Sequence, residues 1–227
     1  MFRDLRLRGF ALALWTGSVI AVAASFFSFG GTDMLTLIAS LIGVTALIYV
    51  ARGHAMGQLL TIVFAIFYGI ISYGSRYYGE MVTYLGMTAT TAAAALIAWL
   101  RHPYRDTAEV EVSALSFQQI VIMLCLAASV TAAFYFILGA LGNASLLVST
   151  VSVTTSFLAS YLTVCRSPYY ALAYAANDIV LIVLWVQASV IDISNVSMMV
   201  CFAMFFANDM YGFVNWRRMM RRQTKMC

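Results

Sequence analysis

Charge is the scarcest commodity of this sequence. Only 10% of its 227 residues are Asp, Glu, Lys or Arg, against 63% from the apolar set, whereas about a quarter of a soluble domain is charged. A water-soluble globule is thereby excluded. Lysine is represented by Lys225 alone, so a retinal protein, which needs a membrane-embedded lysine for its chromophore, is excluded as well. The two histidines, His54 and His102, and the four cysteines, Cys125, Cys165, Cys201 and Cys227, show neither metal-ligand nor paired spacing. No metal, disulfide framework or cofactor is therefore expected, and the thiols should be free. No Gly-x-x-x-x-Gly-Lys-Ser/Thr loop is present to drive transport by nucleotide hydrolysis, and no basic groove offers itself to nucleic acid. Nor do a nucleophile, a base and an orienting group stand together, so the chain is not read as an enzyme.

Long apolar runs fill the space that charge leaves. A membrane-crossing helix needs about 20 mostly apolar residues, and eight runs qualify: Phe10–Phe29, Met34–Ala51, Ala55–Tyr73, Met81–Leu100, Leu115–Leu138, Ala144–Val164, Pro168–Gln187 and Asn195–Trp216. The first is too long for the roughly 7–15-residue apolar core of a signal peptide and is read as a retained helix. Residues 1–227 thus form one all-α membrane domain of eight transmembrane helices with the lipid bilayer as its surroundings.

Basic residues set the expected orientation. Arg3, Arg6, Arg8, Arg52, Arg101, Arg105, Arg166, Arg217, Arg218, Arg221, Arg222 and Lys225 fall on one side and only Arg76 on the other, which places both termini in the cytoplasm. The longest loop, Arg101–Ala114, then reads as a solvated cytoplasmic linker. An internal repeat is also visible: Tyr49-Val50-Ala51-Arg52 closes span two as Thr163-Val164-Cys165-Arg166 closes span six, and Trp99-Leu100-Arg101 ends span four as Trp216-Arg217-Arg218 ends span eight. Residues 34–100 and 144–216 become two three-helix bundles joined by the linking span 115–138, with 10–29 as an extra N-terminal span. Units separated by one span enter the membrane from the same side, so the duplication is parallel, with its axis along the membrane normal.

Asn177-Asp178 and Asn208-Asp209 lie deep in spans seven and eight. An Asp at a membrane-helix centre costs about 2.5–3.5 kcal/mol even on the lenient insertion scale, so it faces a partner or a wet cavity. Helical spacing adds Tyr174 and Trp185 to the stripe of Asp178, and Tyr211 and Asn215 to that of Asn208. Amides and carboxylates beside aromatic faces suit a flat, polar ligand, and a cationic ring gains cation–π attraction. The first half offers a softer set, Glu80, Tyr84, Thr88 and Thr91 on span four with Gln58 on span three. Ser149, Ser152, Ser156 and Ser160 on span six read as close packing with hydrogen-bonding glue. Each Asp has an adjacent Asn and a nearby tyrosine as donors, so both carboxylates are expected to stay ionised as fixed acceptors or counter-charges.

The segments Pro168-Tyr-Tyr-Ala-Leu-Ala-Tyr-Ala-Ala-Asn177-Asp178 and Ala207-Asn208-Asp209-Met-Tyr211-Gly212-Phe-Val-Asn-Trp216 resemble the PnuC vitamin transporters, and the resemblance runs from Met34 to Arg218. It implies seven core helices in a three-plus-one-plus-three layout similar to the SWEET sugar transporters, here preceded by an extra helix. It also implies facilitated diffusion of the vitamin nicotinamide riboside, or a related vitamin, across the inner membrane, with trapping by a cytosolic kinase and no ion or ATP coupling. Asn177 and Asn208 match the family's asparagines of spans seven and eight. Tyr170 and Ala173 stand where the family has paired tryptophans, and Phe64 where it has a first-half asparagine. Relatives of the family carry thiamine, riboflavin or deoxynucleosides. A proton- or ion-coupled carrier using Asp178 or Asp209, and a structural or sensory subunit using the acidic pairs as helix clamps, fit the same residues; the sequence does not set the oligomeric state.

Overall fold

The computed structural model describes residues 5–29, 33–143 and 145–225. Lipid offers no hydrogen-bond partners, so a spanning segment must satisfy its backbone internally, and helices do this. Among the described residues eight helical segments are long and apolar enough to cross a membrane. They are α1 (Gly9–Ser28), α2 (Met34–Ala51), α3 (Met56–Gly74), a fourth span broken into α4 (Tyr78–Val82), a π-helical turn (Thr83–Thr88) and α5 (Ala89–Arg101), then α6 (Phe117–Ala140), α7 (Leu146–Val164), α8 (Tyr170–Ile191) and α9 (Val196–Lys225). Each predicted span has its helix, with ends shifted by a few residues. Ala144, where the sixth predicted span begins, lies outside the described residues, as do Arg3 and Cys227. Cys125, Cys165 and Cys201 are free.

Local signals start several helices. Asp33 accepts the Leu35 N–H at 3.0 Å before α2, and Ser116 with Gln119 forms a reciprocal capping box at the start of α6. Asn143, in the turn after α6, accepts the Gly79 N–H at 3.1 Å and donates to Ser149 at 2.9 Å. That residue fixes the entry of the fourth span against α7.

Two departures from the sequence reading concern the end that carries both termini. Helix α9 continues nine residues beyond Trp216 to Lys225 because Met219 and Gln223 are buried there. The Gln223 amide accepts from Val112 N at 2.8 Å and donates to the Val110 carbonyl at 3.1 Å. The loop after α5 is therefore docked rather than solvated: Val110 N donates to Gly53 O at 2.9 Å, Ser113 N donates to Arg166 O at 3.1 Å, and Val110 has no exposed surface. One short segment so ties together the ends of α2, α7 and α9.

Helix α2 packs on α3 and α9, α9 on α8, and α7 on α8, α6 and α5, while α1 lies against α2 and α9. The two halves grip each other reciprocally. Trp99 of α5 donates its indole N–H to the Thr163 carbonyl at the end of α7 at 3.1 Å, and Trp216 of α9 donates to the Val50 carbonyl at the end of α2 at 2.9 Å. Their rings meet 5.3 Å apart. The fourth span so closes on α7 as α9 closes on α2. Helix α6 buries only Ala127 and Leu138, which suits a linking span facing lipid.

Candidate functional site

A cavity of about 50 Å³ lies where the two units meet. Helix α2 supplies Gly43, Ala46, Leu47 and Val50, α3 supplies Gln58, Thr61 and Phe64, and the π-helical turn supplies Tyr84 and Thr88; Tyr174, Asn177 and Asp178 come from α8, and Phe205 and Asp209 from α9. The extra residue in a π-helical turn re-aims side chains, and such turns recur at functional sites. Gly43 is needed for closeness: a Cβ there would stand 2.3 Å from the Phe205 ring and 3.0 Å from that of Phe64. Phe64 meets Phe205 at 5.4 Å and Tyr84 at 5.8 Å between centroids, both edge to face. Aromatic clusters pack beyond the cavity on either side. Tyr68 accepts the Trp185 indole N–H at 2.9 Å and lies 4.2 Å from the Tyr84 ring, while Trp99, Trp216 and Tyr170 pack at the end that carries the termini.

Polar groups converge on the cavity without any basic partner. Asp178 and Asp209, both buried, stand on the same cavity wall. Asn177 is oriented from behind: its Oδ1 accepts from Thr155 at 2.8 Å and from Ser152 at 3.1 Å. With the carbonyl end tethered, the amide N–H groups are the end available to the cavity.

The residues singled out in the sequence separate into two groups. Tyr174, Asn177, Asp178, Asp209 and Thr88 share the cavity wall. Asn208 turns instead to α1, donating to Ser18 at 3.0 Å and to the Met204 carbonyl at 2.7 Å. Tyr211 packs on Phe10 of α1, and Asn215 donates to the Ala51 carbonyl at 2.9 Å. The stripe Asn208–Tyr211–Asn215 is therefore a real helix face, but it meets α1 and the end of α2. Successive residues of an α-helix diverge by about 100°, so Asp209 reaches the cavity as Asn208 leaves it. Tyr170 and Trp185 lie on the face of Asp178 but in the end clusters, Tyr170 4.8 Å from the Trp216 ring. Thr91 donates to the Met87 carbonyl at 2.7 Å.

Sequence reasoning missed the contribution of α2 and of Phe205. Gly43, the sole glycine of α2 amid Leu41, Ile42 and Val44, was the available sign of a close approach. Ser152 is not merely packing glue, since it contacts both Asn177 and the buried Glu80.

Comparison with known proteins agrees with this architecture. Residues 33–218 match the model of a family described as nicotinamide mononucleotide transporter. The nicotinamide riboside transporter PnuC of Neisseria mucosa is 25% identical over 219 residues, covering 93% of this chain and 82% of that protein. The fold is similar to a solved structure described as the crystal structure of the vitamin B3 transporter PnuC, with a TM-score of 0.83 at 22% identity, over 96% of this chain and 94% of that one.

Proposed function

The chain belongs to the nicotinamide mononucleotide transporter family, and from that premise we propose that it carries nicotinamide riboside, or a closely related vitamin, by facilitated diffusion. Transport by a multi-pass membrane protein is the activity of the family; the substrate, the direction and the energetics are our reading. The observation that carries it is the cavity at the joint of the two three-helix units, walled by Phe64, Tyr84 and Phe205 and by Asn177, Asp178 and Asp209. An aromatic wall stacks on a pyridinium ring and attracts its charge. The carboxyl groups of Asp178 and Asp209 on the same wall supply negative charge to a cationic ring. The Asn177 N–H groups are donors for a ribose or carboxamide oxygen.

A cavity of about 50 Å³ has room for a few waters and not for a nucleoside. Such a volume fits a closed conformation of the cycle we propose, with the aromatic clusters as its two gates. Substrate enters when the contact of Tyr68 with Trp185 parts, and leaves when the packing around Trp99 and Trp216 parts, the two units rocking about the site. Both termini lie in the cytoplasm of this reading, and a cytosolic kinase draws the flux inward by phosphorylating the product.

The test has two arms. Purified protein should gain melting temperature with nicotinamide riboside more than with thiamine, riboflavin or deoxynucleosides, because a ligand that prefers the folded state stabilises it. In liposomes without a kinase and without a membrane potential, labelled substrate should fill only to the external concentration. A second reading, a proton-coupled carrier, is favoured by the two buried carboxyls of Asp178 and Asp209 on a cavity wall without a basic residue, since a carboxyl can bind and release a proton during the cycle. Accumulation above the external level under an inward proton gradient, lost in Asp178→Asn, would select it.

A further inference from the structure

Outside the cavity, the most constrained polar group is Glu80 in α4. It has no exposed surface, its Oε2 lies 3.3 Å from the Ser152 hydroxyl, and its Oε1 has no hydrogen-bond partner among the described residues. The groups that face it are Tyr68 from α3, Tyr77 beside it and Tyr84 one turn on, with Ser152 from α7. Beyond Tyr84 stand Asp178 and Asp209. Around Gly79, the preceding residue, α6 and α7 present Leu138 and Ser149. No cation is in this set, and Arg76 is exposed in the preceding turn.

Hydrogen counting then decides the state of Glu80. A serine hydroxyl has one proton and two lone pairs, yet the Ser152 oxygen is within reach of two acceptors, Glu80 Oε2 at 3.3 Å and Asn177 Oδ1 at 3.1 Å. Were Glu80 a carboxylate, the two would compete for one proton, and a buried anion without a cation would hold at most one hydrogen bond, the arrangement a membrane interior tolerates least. With a proton on Glu80 the conflict disappears: Glu80 donates to Ser152, and Ser152 donates to Asn177. Removing that proton would turn the Ser152 hydroxyl back to Glu80. The Asn177 amide would then be held by Thr155 alone or would turn over, exchanging its N–H groups for its carbonyl at the cavity wall.

We propose that Glu80 is a positioning residue: as the neutral acid it heads a chain through Ser152 that holds the Asn177 amide with its N–H groups toward the substrate. The proposal rests on the reading of the cavity as the substrate site. It gives the first half of the duplication a part in arranging the second half's binding wall, from a residue that does not itself line the cavity.

Two measurements test it. Infrared difference spectra of purified protein at neutral pH, wild type minus Glu80→Gln, should contain the carbonyl stretch of a protonated carboxyl; loss of carboxylate bands instead overturns the proposal. Calorimetric titration with nicotinamide riboside should give Glu80→Gln, whose amide still donates to Ser152, an affinity within about twofold of wild type. Ser152→Ala, which cuts the chain, should weaken binding by about fivefold or more, as one lost hydrogen bond implies. Glu80→Asp, one methylene too short, should weaken it similarly although it keeps the carboxyl. Unchanged affinity in Ser152→Ala, or Glu80→Asp binding better than Glu80→Gln, overturns the relay. Asn177→Leu separates the two levels: full binding in that variant refutes the site itself and not merely the relay. Melting temperatures establish that each variant is folded, and Ser152→Ala decides the matter should Glu80→Gln fail to fold.

Discussion

Asn177→Leu is the substitution whose two consequences, for the fold and for the ligand, pull furthest apart. In the folded protein the side chain accepts two hydroxyl bonds, from Thr155 at 2.8 Å and Ser152 at 3.1 Å. Thr155 keeps the Val151 carbonyl at 3.0 Å when the acceptor goes, and the Ser152 hydroxyl can turn to Glu80 at 3.3 Å in exchange for the bond it accepts from Glu80. Two ordinary hydrogen bonds are worth about 0.5–1.5 kcal/mol each, and leucine of similar size removes the cost of holding an amide away from water. The net loss of stability should be about 1 kcal/mol or less, a small drop in melting temperature in detergent. The ligand fares differently. An oxygen that met the Asn177 N–H groups is left buried without a donor, which costs about 1–3 kcal/mol and weakens binding by roughly 5- to 150-fold. Calorimetric titration with nicotinamide riboside measures the second quantity, and a thermal melt the first. A variant that melts like wild type and binds within twofold of it would refute the assignment of Asn177 to the site. A variant that fails to fold would refute the accounting of its hydrogen bonds.

Gly43→Ala places a methyl carbon 2.3 Å from the Phe205 ring. Overpacking of this kind costs about 1–3 kcal/mol, so both melting temperature and ligand affinity should fall, and an unperturbed variant would mean that α2 does not wall the cavity. Trp99→Phe and Trp216→Phe each delete one indole hydrogen bond of the reciprocal clasp. Each should lower stability by about 1–2 kcal/mol while leaving the Asn177 network intact; a large loss in one and none in the other would argue against their equivalence. For orientation, single cysteines introduced at Leu141 and at Thr107 in a chain freed of its own cysteines should react with an impermeant thiol reagent from outside and only from the cytoplasm, respectively. The reverse pattern would overturn the assignment of the arginine-rich side to the cytoplasm.

Scarcity of charge and runs of apolar residues were enough to specify eight spans, since the hydrocarbon core dictates both the length and the helicity of whatever crosses it. Trp99 and Trp216, which the sequence places at the ends of similar spans, are used alike in the fold, each giving its indole N–H to a carbonyl at the end of another span. Asn177-Asp178 and Asp209 were legible as polar groups that must meet a partner or a cavity, and they line one, because polar groups are so costly at membrane depth. Sequence could not say which way each helix turned. Asn208 and Asp209 differ by about 100° of rotation, and it was the packing of α1 against α9 that gave one to Ser18 and the other to the cavity. Nor could spacing alone tell that Tyr170 and Trp185 sit in separate packed clusters and not on the cavity wall with Asp178. The wall from α2, the docking of Val110 under Gly53 and the single proton of Ser152 lying between Glu80 and Asn177 all join residues far apart in the chain. Local pattern holds no record of such meetings; only the tertiary structure decides them.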